Sequence, residues 1–162
     1  MAELRVIFKV GEKRKIKQGH WSKYNFFTSI ERCKGVFMTI SLWCVLVAGI
    51  MPMLWAACAK ASGPGFDNNG PRDFLEGLTG ARKRAHWAQL NSFEAFPLFA
   101  VAVIVAHMLG KIGQETIDNV AILFVVSRVF YGVFYIKDFA NMRSIVWFVG
   151  LVCCISLFVM SV

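Results

Sequence analysis

Charge is scarce in this chain: charged side chains make up 17% of its 162 residues, against 57% hydrophobic. A helix facing water carries polar residues along its whole outer stripe, so a chain this poor in charge cannot be built from solvated helices. Alternation of apolar and polar residues over ~10-residue segments is also missing, which excludes a transmembrane β-barrel. Five cysteines are present (Cys33, Cys44, Cys58, Cys153 and Cys154), without a CxxC or other metal-ligand spacing. His20, His86 and His107 stand too far apart for a local metal motif. No metal is expected, and the cysteines read as small packing residues. No apolar run before residue 35 is long enough for a signal-peptide core. The stretch SGPGFDNNGPRD lacks the spacing of a calcium loop despite Asp67, Asn68, Asn69 and Asp73, and reads as a turn. There is no internal repeat and no low-complexity segment.

What the chain has instead is four apolar blocks, Val36–Ala59, Trp87–Leu109, Ile117–Ile136 and Ser144–Val162. Each comes close to the ~20 residues that cross a ~30 Å hydrocarbon layer. Short connections after the second and third blocks make their neighbours antiparallel. The expected fold is therefore all-α and integral to a membrane: a four-helix, up-down-up-down transmembrane bundle over residues 36–162, preceded by a basic tail over 1–35.

The formal net charge of +8 would suit a nucleic-acid partner, but its layout does not. Nine of the 18 Lys and Arg lie in the tail, and all the others except Arg128 flank the apolar blocks. Basic residues at membrane boundaries set topology or meet anionic lipid. Leaving out the tail, the first and third loops hold seven (Lys60, Arg72, Arg82, Lys83, Arg84, Lys137, Arg143) against Lys111 in the second. That bias puts loops one and three in the cytoplasm; counting the tail on the other side cancels it. Met38, opening the run MTISLWCVLVAGIM, is an alternative start.

The informative residues are the polar ones inside the spans. An Arg at the centre of a membrane helix costs ~2.5–3.5 kcal/mol on insertion scales, so such residues face protein or water. In the second block Asn91 lies about 20° round the helix from Arg84, and Glu94 about 60° further, forming one polar stripe. Pro97 follows it. In the third block Tyr131 and Tyr135 share a face with Arg128, and Arg143 and Ser144 open the fourth. Each has a plain structural reading: Glu94 and Arg128 as a buried ion pair, the tyrosines as interface anchors, Arg143 as a topology determinant. Together, three Arg, one Glu, one Asn and two Tyr exceed what one ion pair needs, and their net charge of +2 suits an anionic ligand.

The segment AQLNSFEAFPLFA, Ala88–Ala100, resembles the second-helix signature N-x-x-E-x-[FY]-P of the MAPEG family, the membrane-associated proteins in eicosanoid and glutathione metabolism. RVFYGVFYIKDFANMRS, Arg128–Ser144, is similar to that family's run of an Arg, two Tyr and a later Arg. The resemblance covers Met38 to Val162 and is nearer to bacterial members than to the eicosanoid synthases. It implies a multi-pass protein of a bacterial inner membrane, forming a homotrimer with glutathione, a co-substrate, bound between subunits. Carried over by position, Arg84, Asn91, Glu94, Arg128, Tyr131, Tyr135 and Ser144 would bind glutathione, and Arg143 would be catalytic, beside the thiol. Trp87 stands where the eicosanoid branch usually has Arg, and Ala95 where a Tyr often follows the signature Glu; both point away from that branch's glutathione geometry.

The activity so implied is a glutathione transferase or peroxidase acting on lipophilic small molecules that arrive through membrane lipid. The alternative is a non-catalytic protein of the same fold that binds lipid or presents a partner. A transporter would carry broken helices and a second polar site, which are not evident. The tail belongs to neither motif, so a chain beginning at Met38 is expected to insert as the full chain does. Membrane fractionation checks this, and loss of the shortened protein from the membrane fraction is the contrary result.

Overall fold

The computed structural model describes residues 38–61, 65–66 and 69–162. The basic tail, with His20 and Cys33, lies outside the described residues, as do Asp67 and Asn68 and the first two residues of the first apolar block. Among the described residues five helices follow one another: α1 Ile40–Ala61, α2 Pro71–Glu76, α3 Gly80–Leu109, α4 Gln114–Ile136 and α5 Ala140–Ser161. All but α2 are long and apolar enough to cross a membrane. The chain is thus an all-helical, multi-pass membrane protein.

The long helices start before their apolar blocks in three cases. α3 begins at Gly80, not Trp87, so the polar run GARKRAH is helical as well. α4 begins at Gln114 and α5 at Ala140. Hydrophobicity marks the hydrocarbon; a helix satisfies its own backbone and continues past that boundary into the headgroups. At 1.5 Å per residue, α3's 30 residues span about 45 Å, well over the layer's thickness. The short α2 begins within the stretch read as a turn; Pro71 sets its first helical φ and Asp73 places an acid in its first turn. Leu75 of α2 and Leu78 pack on Ala59 and Ala85, closing that end of the bundle. Arg82 Nε there donates to the Ala59 carbonyl, one of the last in α1 (3.0 Å).

At the opposite end, the first turn of α1 is fastened by side chains from two other helices. Thr39 Oγ1 accepts from Leu42 N (3.4 Å), and Asp118 of α4 accepts from Ser41 N (2.8 Å). Gln114 donates to the same carboxylate (2.8 Å) and to Ser41 Oγ (3.3 Å). His107 Nε2 of α3 lies 3.2 Å from Thr39 Oγ1, while its Nδ1 donates to the Val103 carbonyl (2.8 Å). With Nδ1 carrying the proton, Nε2 is the acceptor for the hydroxyl. Amide groups that would otherwise be orphaned at the membrane edge are thereby satisfied.

Between these ends α1 packs on α3 and α4, and α5 on α4 and α3. The core is made mostly of small residues, including Ala48, Ala102, Ala106, Ala121, Cys153 and Cys154, around a stacked pair of buried rings, Phe99 and Phe124 (3.8 Å, 7° interplanar). Small residues let membrane helices approach closely, since burying apolar surface gains little when the solvent is lipid. The large apolar side chains (Leu46, Leu54, Phe93, Ile104, Phe148 and others) point outward instead.

Trp55 of α1 is an exception: it is buried against α4 at Gly132, and a Cβ on that glycine would overlap the indole ring. Gly132→Ala is therefore expected to cost ~1–3 kcal/mol by overpacking. It should lower the thermal unfolding midpoint of the detergent-solubilised protein; an unchanged midpoint would mean that the ring can shift freely.

Candidate functional site

α3 and α4 face each other through one buried guanidinium. Arg128 is 3% exposed, and its Nη2 donates to Asn91 Oδ1 at 2.8 Å. Asn91 in turn donates from Nδ2 to Glu94 Oε2 at 3.1 Å. The amide can point only this way round: arginine offers only donors, and a carboxylate only acceptors. Glu94 and Arg128 are thus joined through Asn91 rather than as a direct ion pair. Arg128 also lies over the Tyr131 ring (4.2 Å), and its buried Nε has no hydrogen-bond partner among the described residues.

Two hollows open on either side of this Asn91–Glu94 step. One, of about 170 Å³, lies between α3, α4 and α5; Arg128, Asn91 and Glu94 form its polar part, and Phe124, Trp147 and Cys154 are among its other lining residues. The other is an open groove of about 340 Å³ along α3 and α4, lined by Trp87, Leu90, Asn91, Glu94, Tyr131 and Tyr135. Tyr131 and Tyr135 meet edge to face (5.4 Å), and Trp87 tilts against Tyr135 (6.2 Å). Arg143, from the first turn of α5, lays its guanidinium over the Tyr135 ring at 4.3 Å. A cation over an aromatic face is attracted by the ring quadrupole, which gives Arg143 a defined seat beside the groove.

Of the residues singled out in the sequence, Asn91, Glu94, Arg128, Tyr131 and Tyr135 line one or both hollows, with Arg143 stacked on the last of them. Arg84 does not line either. Its Nε donates to the Ile136 carbonyl (3.1 Å), and its Nη1 lies 3.6 Å from Asp138 Oδ2. Ser144 donates to the Ala140 carbonyl of its own helix (3.1 Å) and is exposed. Sequence reasoning missed Trp147, Gly150 and Cys154 on α5. Gly150 was the available signal, as a glycine inside an apolar helix marks close approach. A Cβ there would sit 3.1 Å from Ser127 Oγ and 3.7 Å from Arg128 Cδ.

The family model described as "MAPEG family" matches residues 40–162. No curated protein and no solved structure gives a match.

Removing the amide leaves Arg128 buried with Nη2 as well as Nε unpaired. Asn91→Ala is expected to destabilise the protein by ~1.5–3 kcal/mol, the range for a hydrogen bond to a charged group. Glu94→Ala, which removes an exposed end of the relay, should cost clearly less. Unfolding midpoints of the two variants check this, and equal losses would contradict it.

Proposed function

The chain belongs to the MAPEG family, and from that premise we propose that it is a glutathione-dependent membrane transferase or peroxidase acting on lipophilic electrophiles or lipid hydroperoxides. The observation that carries the reading is the position of Glu94. It is exposed on the protomer, yet lies seven residues into the apolar part of α3 that begins at Trp87, about 10 Å inside the boundary. An ionised carboxylate is not left facing lipid there. It needs a polar ligand and a second protein surface over it, as in a homotrimer whose subunits share a site. Glutathione supplies a matching ligand: its ammonium suits Glu94, and its two carboxylates suit the arginines. In this reading Asn91, Glu94, Arg128, Tyr131 and Tyr135 form the binding wall, Ser144 and Arg143 lie nearest the thiol, and Arg84 adds positive charge at the rim.

A cysteine-type thiol has a pKa of ~8.5, and only its thiolate is a good nucleophile. Lowering that value by about two units takes ~2.7 kcal/mol of preferential thiolate stabilisation. A guanidinium in a water-poor site supplies charge of the right sign, and Arg143 is held for that task by the Tyr135 ring. The thiolate then forms a C–S bond with an electrophilic carbon as the leaving group departs with its electron pair. With a hydroperoxide it takes the distal oxygen, releasing an alcohol and leaving a sulfenic acid; a second glutathione converts that to disulfide and water. The apolar walls of the smaller hollow suit a substrate arriving from the bilayer. They equally suit the alternative, a non-catalytic lipid-binding protein. The membrane we infer is a bacterial inner membrane, with loops one and three cytoplasmic.

Purified protein with glutathione and a generic electrophile is the direct test. Wild type should develop the ultraviolet absorbance of bound thiolate. Arg143→Ala should lose that signal and up to about a hundredfold in turnover, if the full ~2.7 kcal/mol is lost, with little change in glutathione affinity. Absence of both thiolate signal and glutathione binding in wild type would leave the lipid-binding reading.

A further inference from the structure

The turn from α4 to α5 is closed by a nested pair of backbone hydrogen bonds, Phe139 N to Phe134 O (2.9 Å) and Asp138 N to Tyr135 O (3.2 Å). The Phe134 and Phe139 rings meet across it (6.3 Å). This is the Schellman way of ending a helix, with the apolar contact that accompanies it. It requires a left-handed residue at its next-to-last position, and that residue is Asp138, with φ 66°. Glycine adopts this conformation without strain and is the usual occupant. An aspartate there keeps a carboxylate that glycine would not have.

That carboxylate faces Arg84, 3.6 Å away, while the same arginine donates from Nε to the Ile136 carbonyl at the end of α4. Arg84 thus joins the first turns of α3 to both the last turn of α4 and the turn beyond it. Asp138 is 69% exposed, and an ion pair so open to solvent contributes little to stability. Its effect is on geometry. The turn also launches α5: the Phe139 carbonyl accepts Arg143 N (2.9 Å), and the Arg143 guanidinium rests on Tyr135 from the other side of the turn.

We propose that Asp138 is a positioning residue: through Arg84 it fixes the α4–α5 turn, and so holds Arg143 over the Tyr135 ring. The consequence for catalysis rests on the role of Arg143 proposed above; the consequence for the turn does not. Asp138→Gly separates this from an ordinary turn residue. Were Asp138 only a turn former, glycine would serve as well or better, since it removes the left-handed strain.

The expected result for Asp138→Gly is an unfolding midpoint no lower than wild type, with faster hydrogen exchange at the Arg143 and Ser144 amides. Turnover should fall about tenfold at nearly unchanged glutathione affinity, and the bound thiol should titrate about one pH unit higher. Asp138→Asn, which tolerates the same backbone but lacks the charge, should behave likewise. Arg84→Gln combined with Asp138→Asn should lose no more than the worse single variant. Wild-type exchange and turnover in Asp138→Gly would overturn the proposal. If wild type shows no glutathione chemistry, the reading of the site fails, and the exchange rates still decide whether Asp138 positions the turn.

Discussion

A guanidinium buried among membrane helices must be held by neighbouring side chains, because hydrocarbon offers it nothing. Arg128 is in that position, and the hydrogen bond to Asn91 is the main thing that holds it. The rest of the site follows from that bond. It ties α4 to α3 at the depth where both hollows form, and it sets the direction of the Asn91 amide and so the partner of Glu94. It also leaves Tyr131 beneath the guanidinium, from which Tyr135 and Arg143 are stacked in succession. Gly150 contributes from α5 by letting that helix come close to Ser127 and Arg128: a Cβ there would be tight against Ser127 Oγ, at 3.1 Å, and in ordinary contact with Arg128.

The spans were legible because hydrocarbon thickness imposes a length that composition alone reveals. Their ends were not, because a helix does not stop where the hydrocarbon does: the polar start of α3 looks like loop and is helix. The Arg84–Asn91–Glu94 stripe was legible from helical period, and two of its members do line the hollows. Arg84 has the right angle round the helix but lies near the first turns of α3, level with the α4–α5 turn, where Asp138 and the Ile136 carbonyl reach it first. Period gives direction and not what waits there. The α5 residues were hardest to read. In a helix apolar all round, no polar face indicates which side meets a neighbour, and one glycine is a weak marker.

The two ends of the bundle are built to different ends. Around Ser41 the polar groups are satisfied by one another, with Thr39, His107, Gln114 and Asp118 joining three helices in one hydrogen-bonded cluster. Such a network rigidifies, and it leaves Ser41 with no exposed surface. At the basic end, the polar groups are satisfied only in part: Glu94 is open, and Arg143 rests on a ring and not on an acid. Groups left available in this way are what a ligand requires, and the closed end supplies the fixed frame on which they are held.

The choice of a neutral amide between Arg128 and Glu94 has a further physical consequence. In a direct ion pair the two charges would largely cancel, and a ligand would have to break the pair before using either. Asn91 instead satisfies an arginine donor and a glutamate acceptor with its two ends while neutralising neither. The Arg128 guanidinium stays beside the tyrosines, and the Glu94 carboxylate stays at the surface. The site therefore presents separated charges of opposite sign across one residue, and the glutathione binding proposed above would use both. A glutamate at position 91 would pair with Arg128 more strongly and set a second carboxylate against Glu94, trading that separation for repulsion.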